Sequence, residues 1–283
     1  MKKPQLIAAI IAFILVVTLY AATEKQIFGP PPIKKQELQP QIASEAALSS
    51  DSVISLAEKQ LSPEQISRLE LLQHSISRGD VKNQQIQIYR HLARFWSDTA
   101  KQFAPYGWYT AEEARLENSE KSLTFAARLF LDNLSSEDKP QLKQWEAFQA
   151  KDLFERSLKL NPNNDSSKVG LGAVYLYGGI AMPMQGIGMI REVADRDSTN
   201  IYAQMTLGQA SVASGQLDKA NERFKTVIRL QPGNLEALLL LGEVAEQMGN
   251  KPEAVEWYNK SLPLINIPGL KKEVEARIAE LRK

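Results

Sequence analysis

The side chains able to do chemistry are few. His74 and His91 are the two histidines of a 283-residue chain that contains no cysteine. A metal site would have to be built on them, yet they lie seventeen residues apart on two separate predicted helices, with no third ligand at metal-binding spacing. Both are read as surface or helix-packing histidines. Without cysteine there is neither a disulfide scaffold nor a thiolate metal site. Gly178-Gly179 and Gly186-x-Gly188 have the glycine density of a phosphate loop, but no strand precedes them and no Gly-Lys-Ser/Thr follows. They read as an interhelix turn and a close helix contact. The carboxylate pair Glu112-Glu113 is explained by the opening of a helix, whose dipole favours negative charge there. Nucleophile elbows, kinase signatures and metalloprotease helices are absent from the sequence. The chain is therefore read as not an enzyme, with no catalytic, cofactor-binding or metal-binding residue and no cofactor.

Two further groupings bear on binding. Phe95, Trp96, Phe103, Tyr106, Trp108 and Tyr109 form the densest aromatic run. They read first as a packed seam between N-terminal helices and the segment that follows, and second as a partner or membrane-surface patch. The 34 Lys+Arg balance 33 Asp+Glu for a net charge of +1. A nucleic-acid binder needs a clustered basic excess, so no nucleic-acid partner is expected.

The elements that would position these groups begin with an anchor. Leu6 to Ala22 is a run of seventeen uncharged residues, preceded by Lys2 and Lys3 and followed by Glu24 and Lys25. As a helix it spans roughly 26 Å, close to a ~30 Å hydrocarbon core, with Lys3 and Tyr20 placed to meet the interface. Residues 1–22 are expected to be a signal-anchor transmembrane helix. The alternative is a cleaved signal peptide leaving a soluble exported protein, but Leu19 or Tyr20 would then occupy the −3 place, which wants a small residue. The short N-terminal flank favours a cytoplasmic stub and an exported body. The expected location is the inner (plasma) membrane, single-pass, with the folded part in the periplasm. Residues 23–44, with Pro30, Pro31, Pro32 and Pro40, are expected to be a Pro-rich linker acting as a semi-rigid stalk.

From residue 45 the pattern is helical throughout, and no segment alternates with period two. Ser62-Pro63-Glu64-Gln65 predicts a helix start, and Ile66, Leu69, Leu72 and Ile76 carry its apolar face to Gly79-Asp80. A second helix is expected from about Val81 to Phe103, ended by Pro105-Tyr106-Gly107. Residues 45–118 thus form an N-terminal helical region, read by extrapolation as degenerate repeats.

The C-terminal part repeats itself. Leu207-Gly208 and Leu241-Gly242 are 34 residues apart, as are Ala220 and Ala254, and Phe224 and Tyr258; Pro232 closes one unit. Leu171-Gly172, Tyr175, Gly186, Ile190 and Val193 fit a preceding unit with two residues inserted near Gly178-Gly179. Ala150, Phe154, Ser157 and Pro162 fit the second helix of an earlier one, whose partner would be about Ser119 to Leu131. This set resembles the tetratricopeptide repeat (TPR) family, in a membrane-anchored type. The resemblance implies an all-α, TPR-like helix-turn-helix solenoid, a right-handed superhelix, over residues 119–283, ending in a capping helix from Leu270 to Lys283. Stacking is required because each pair exposes an apolar face that only its neighbour covers.

The resemblance also implies that the first helix of each pair lines a concave groove. Its partner-binding positions would be Val169, Ala173 and Leu176, with Ser166; then Tyr202, Met205, Gln209 and Val212; then Glu236, Leu239, Glu243 and Glu246. Chaperone-binding members clamp a C-terminal carboxylate with Lys, Asn and Arg, but those places hold Val169, Ala173, Thr206, Glu236 and Leu240, so no such clamp is expected. A groove apolar at one end and acidic at the other suits a peptide with apolar anchors and a basic end. The expected function is a membrane-anchored scaffold binding client or assembly-partner proteins; the arrangement also admits self-association. An enzyme or accessory subunit with a site in residues 45–118 is the alternative from another class.

Overall fold

Short capping residues set where the helices begin. The computed structural model describes residues 48–76 and 82–283. The expected anchor (1–22), the linker (23–44) and the Gly79-Asp80 stop lie outside the described residues. Among the described residues every regular element is helical, and no helix is long and apolar enough to cross a membrane.

The N-terminal region contains α1 (Ser50–Glu58), α2 (Pro63–Ile76), α3 (Lys82–Arg94) and α4 (Phe103–Glu117). The α2 start is a reciprocal capping box: the Ser62 amide donates to Gln65 Oε1 at 2.9 Å and the Gln65 amide to Ser62 Oγ at 3.2 Å. The helix expected to run on to Phe103 stops sooner. After α3 the backbone passes through a π turn, Phe95–Thr99, and breaks at Lys101, whose φ is +55°. Pro105-Tyr106-Gly107 therefore does not end a helix; it lies in the opening part of α4, where a missing amide hydrogen costs nothing. Glu112-Glu113 in turn lies well inside α4 rather than at a helix start. The Arg90 guanidinium on α3 donates to Glu113 at 2.5 Å and Glu117 at 3.1 Å, and Arg115 meets Glu112 at 2.6 Å.

Four helix pairs follow: α5 (Glu120–Asn133) with α6 (Pro140–Leu160), α7 (Asp165–Tyr177) with α8 (Pro183–Arg196), α9 (Ile201–Ala213) with α10 (Leu217–Leu230), and α11 (Leu235–Gln247) with α12 (Lys251–Ser261). A final helix, α13 (Pro268–Leu281), closes the array. Asn164, Asn200 and Asn234 cap α7, α9 and α11, each side-chain oxygen accepting an amide three residues on, at 2.9, 3.0 and 2.9 Å.

Glycine sets the approach within the pairs. A Cβ on Gly208 would stand 2.4 Å from the Phe224 ring, and one on Gly242 2.4 Å from the Tyr258 ring. In the pair with the insertion, Gly172 meets Ile190 and the Gly186 carbonyl instead, the helix being so close that a Cβ would lie 2.8 Å from that oxygen. Gly179, at φ +66°, turns the chain where two residues are inserted. Ala220, Phe224, Val227, Ala237, Leu241 and Val244 form one continuous cluster across two units, as stacking requires. Val274, Ile278 and Leu281 of α13, with Leu270 partly buried beside them, cover the last apolar face with Tyr258 and Ala254, and the charged residues of that helix are exposed.

The aromatic run is a packed seam. Phe95 and Trp96 are buried against Leu92 and Tyr109, while Phe103 and Trp145 meet the Phe130 ring edge-on at 6.0 and 5.7 Å. Trp108 lies 6.3 Å from Trp145, joining α4 to α6.

Candidate partner-binding groove

The first helices α5, α7, α9 and α11 lie side by side, and three contacts between them and the cap define one surface. The Arg128 guanidinium of α5 sits over the Tyr202 ring of α9, 5.0 Å from its centre, reaching across α7. Gln209 of α9 donates to Glu236 of α11 at 2.8 Å. Arg277 of α13 binds Glu246 of α11 through two nitrogens, and the Tyr258 hydroxyl donates to the same carboxylate at 2.7 Å.

The predicted positions divide in two. Leu176, Tyr202, Gln209, Val212, Leu239 and Glu246 are half-buried, and Glu236 and Glu243 are exposed, so these eight reach the surface. Val169, Ala173 and Met205 do not. Val169 is buried with Ile190, Ala203 and Leu207, and Met205 with Phe224 and Leu241, while Ala173 keeps 3% of its surface. These three face neighbouring helices, so a partner cannot touch them; they are structural, a correction to the expected groove register. Thr206 is likewise turned inward, its hydroxyl donating to the Tyr202 carbonyl at 2.8 Å.

Three groove residues escape the sequence reading. Tyr177 closes α7 and is 39% exposed beside Tyr202. Arg128 enters because α5 supplies the groove's first wall. Arg277 comes from the capping helix and neutralises an acid that the pattern alone leaves free. Burial pushes the Tyr202 phenol up to about 12, against the opposing pull of Arg128. The Glu246 carboxyl is held below its ordinary range, chiefly by its hydrogen bonds from Arg277, and burial raises the Tyr258 phenol, aided by the Glu246 charge. Both tyrosines are therefore neutral across the physiological range.

The groove is apolar where Leu176, Tyr177 and Tyr202 meet, and acidic along α11. At its far end Leu239, Glu243, Glu246, Gln247, Tyr258, Leu270 and Arg277 line an open, shallow cavity of about 570 Å³. A second cavity, of about 620 Å³, lies in the N-terminal region between α1, the start of α4 and the α5–α6 loop. Its walls are mainly apolar, from Leu48, Val53, Leu56, Phe103, Pro105 and Leu142, with the polar side chains of Gln60, Gln102, Glu137, Lys139 and Gln141 among them. The two histidines stay apart in role: His74 bonds its own helix through the Glu70 carbonyl at 2.7 Å, and His91 is exposed on α3. Among the described residues no group of His, Asp and Glu is arranged to hold a metal ion.

Stacked helix pairs around an open groove define a helical-repeat protein. Residues 205–269 match the tetratricopeptide repeat family model. No curated protein matches the sequence. Among solved structures, MamA (residues 41 to the end) from Desulfovibrio magneticus RS-1 is 23% identical, covering 66% of this chain and 96% of its own, with a TM-score of 0.44. TTC0263, a thermophilic TPR protein of Thermus thermophilus, is 15% identical, covering 71% and 98%, with a TM-score of 0.49. YrrB, described as a TPR protein with an unusual peptide-binding site, is 16% identical, covering 72% and 97%, with a TM-score of 0.41.

Proposed function

We propose that this protein is a membrane-anchored scaffold that holds a segment of a client or assembly-partner protein in the concave groove, on the exported side of the membrane. The observation that carries the groove reading is the partly exposed apolar patch of Leu176, Tyr177 and Tyr202. Apolar side chains left at a concave surface between charged margins are what an apolar peptide anchor covers. The anchor and topology rest on the uncharged run from Leu6 to Ala22 and its short basic flank.

The groove is tested by capture of partners on the full-length protein with Tyr177→Ala, the thermal midpoint being followed beside it because the ring is only partly exposed. Loss of capture with an unchanged thermal midpoint supports the groove; unchanged capture sinks it. Topology is tested separately, by protease digestion of a C-terminal tag in osmotically opened cells beside a carbonate wash of membranes. Digestion of a carbonate-resistant protein supports an exported solenoid. Protection of the tag reverses the orientation, and release by carbonate removes the anchor.

A further inference from the structure

The groove's acidic wall is a stripe on α11: Glu236, Leu239, Glu243 and Glu246 follow at helical spacing. Their carboxylates are not equivalent. Glu246 is saturated by two Arg277 nitrogens and the Tyr258 hydroxyl. Glu236 accepts the Gln209 amide at 2.8 Å. Glu243 accepts only the amide of Gln247, one turn on in its own helix, at 3.2 Å. It is also the acid whose cavity has an apolar floor, from Leu239, Leu270 and the Tyr258 ring.

The cations facing that cavity must be counted as well. Arg277 is there, but it is committed to Glu246 and also to Glu280, the latter at 2.6 Å. The fixed ion pair cancels locally and leaves the Glu243 charge in excess. A long aliphatic stem ending in a positive charge fits this combination: its methylenes cover Leu239 and Leu270 while its head reaches the carboxylate. A neutral apolar side chain would cover the floor but bring the carboxylate no counter-charge.

Resting on the groove reading above, we propose that the cavity between α11 and α13 is a cation subsite, taking a lysine or arginine side chain of the bound peptide with Glu243 as its counter-charge. The subsite fixes the direction in which the peptide lies. Tyr177 and Tyr202 on α7 and α9 hold its apolar part, and the basic residue follows toward the cap. The repeat register sets Tyr202 level with Glu236, and Glu243 lies seven residues, about 10 Å, further along α11; with adjacent helix axes about 8–10 Å apart, the path from Tyr202 to Glu243 corresponds to roughly four residues of extended chain.

The test uses a displayed library of random dodecapeptides selected on the full-length protein, with the selected peptides then synthesised and their binding measured by fluorescence anisotropy. Selected peptides are expected to carry Lys or Arg about four residues from an apolar or aromatic one. Replacing that basic residue by norleucine should weaken binding to the natural protein about fivefold, and Glu243→Gln should do the same. The two changes together should cost little more than either, because each removes the same contact. Peptides without a basic preference, or with losses that simply multiply, overturn the subsite while leaving the groove intact if Tyr177→Ala still weakens them. Peptides indifferent to both Tyr177→Ala and Glu243→Gln, or no selected peptides at all, overturn subsite and groove together. Glu243 is exposed, so a drop in thermal midpoint for Glu243→Gln would mark a structural role instead and count against the proposal.

Discussion

The guanidinium of Arg128 lies 5.0 Å from the centre of the Tyr202 ring, although the two residues belong to the first helices of the first and third repeats. The contact couples the first and third units directly, across α7. An exposed cation over an aromatic face contributes about 0.5–1 kcal/mol. Arg128→Ala should therefore lower the thermal midpoint by about 1–4 °C, followed by circular dichroism. Arg128→Lys should recover most of that loss, since an ammonium also binds the ring face. Equal midpoints for all three proteins would show that the bridge contributes nothing.

Gly208 and Gly188 make a controlled pair, both helical and with opposite surroundings. A methyl on Gly208 would stand 2.4 Å from the ring of Phe224, which is fully buried and has nowhere to go, whereas one on Gly188 meets nothing within 4 Å. Gly208→Ala should cost about 1–3 kcal/mol through overpacking. Gly188→Ala should gain about 0.5–1 kcal/mol by restricting the unfolded chain. Urea unfolding of the two variants decides between them: shifts of the same sign would refute the packing argument.

That glycine pairing is also why the repeats are legible in the sequence. A residue two turns past each Asn cap must be small for the second helix to approach, through a ring at Gly208 and Gly242 and through Ile190 and the Gly186 backbone at Gly172, so the three glycines keep step with Asn200, Asn234 and Asn164. The break after α3 leaves no such mark. Phe95 and Trp96 continue the apolar pattern through a π turn, and the left-handed residue that follows is Lys101 rather than glycine. The groove is only half legible for a different reason. Val169, Ala173 and Leu176 share one stripe, but whether a member of that stripe meets solvent or the adjacent helix depends on how closely the helices pack, which one sequence does not display. Arg128 and Arg277 come from outside the clean repeats, so their part in the groove becomes visible only once the first pair and the cap are placed.

Met205 and Tyr177 separate structure from recognition. Met205 is buried with Phe224 and Leu241, whereas Tyr177 is exposed at the groove. Met205→Ala should cost about 2–5 kcal/mol in stability, as large-to-small changes in a core do. Once folded at low temperature, that variant should bind the groove peptide nearly as the natural protein does. Tyr177→Ala should show the reverse, with binding weakened and stability kept. Peptide titration and thermal unfolding on the same samples distinguish them, and a Met205→Ala protein of full stability would mean that the helix register is misplaced.

Glu146 supplies a pH dependence of unusual sign. Its side chain is buried on α6, with both carboxylate oxygens 3.0 Å from the Asn133 amide nitrogen. Burial pushes its carboxyl up to about 7 from an ordinary 4.5; the Asn133 bonds oppose the rise, the nearby Glu137 charge adds to it and Lys143 opposes it. Between those two values the folded protein holds a proton that the unfolded chain has released. Stability therefore falls as pH rises from about 4.5 to about 7, by about 2–3 kcal/mol from this group. Glu146→Gln keeps a neutral amide in the same place and should remove that slope, leaving the variant more stable than the natural protein at about pH 7.5 and close to it at about pH 4.5. Chemical unfolding at the two pH values measures the difference, and a variant that stays below the natural protein at both would show that the carboxylate is better solvated than its burial implies.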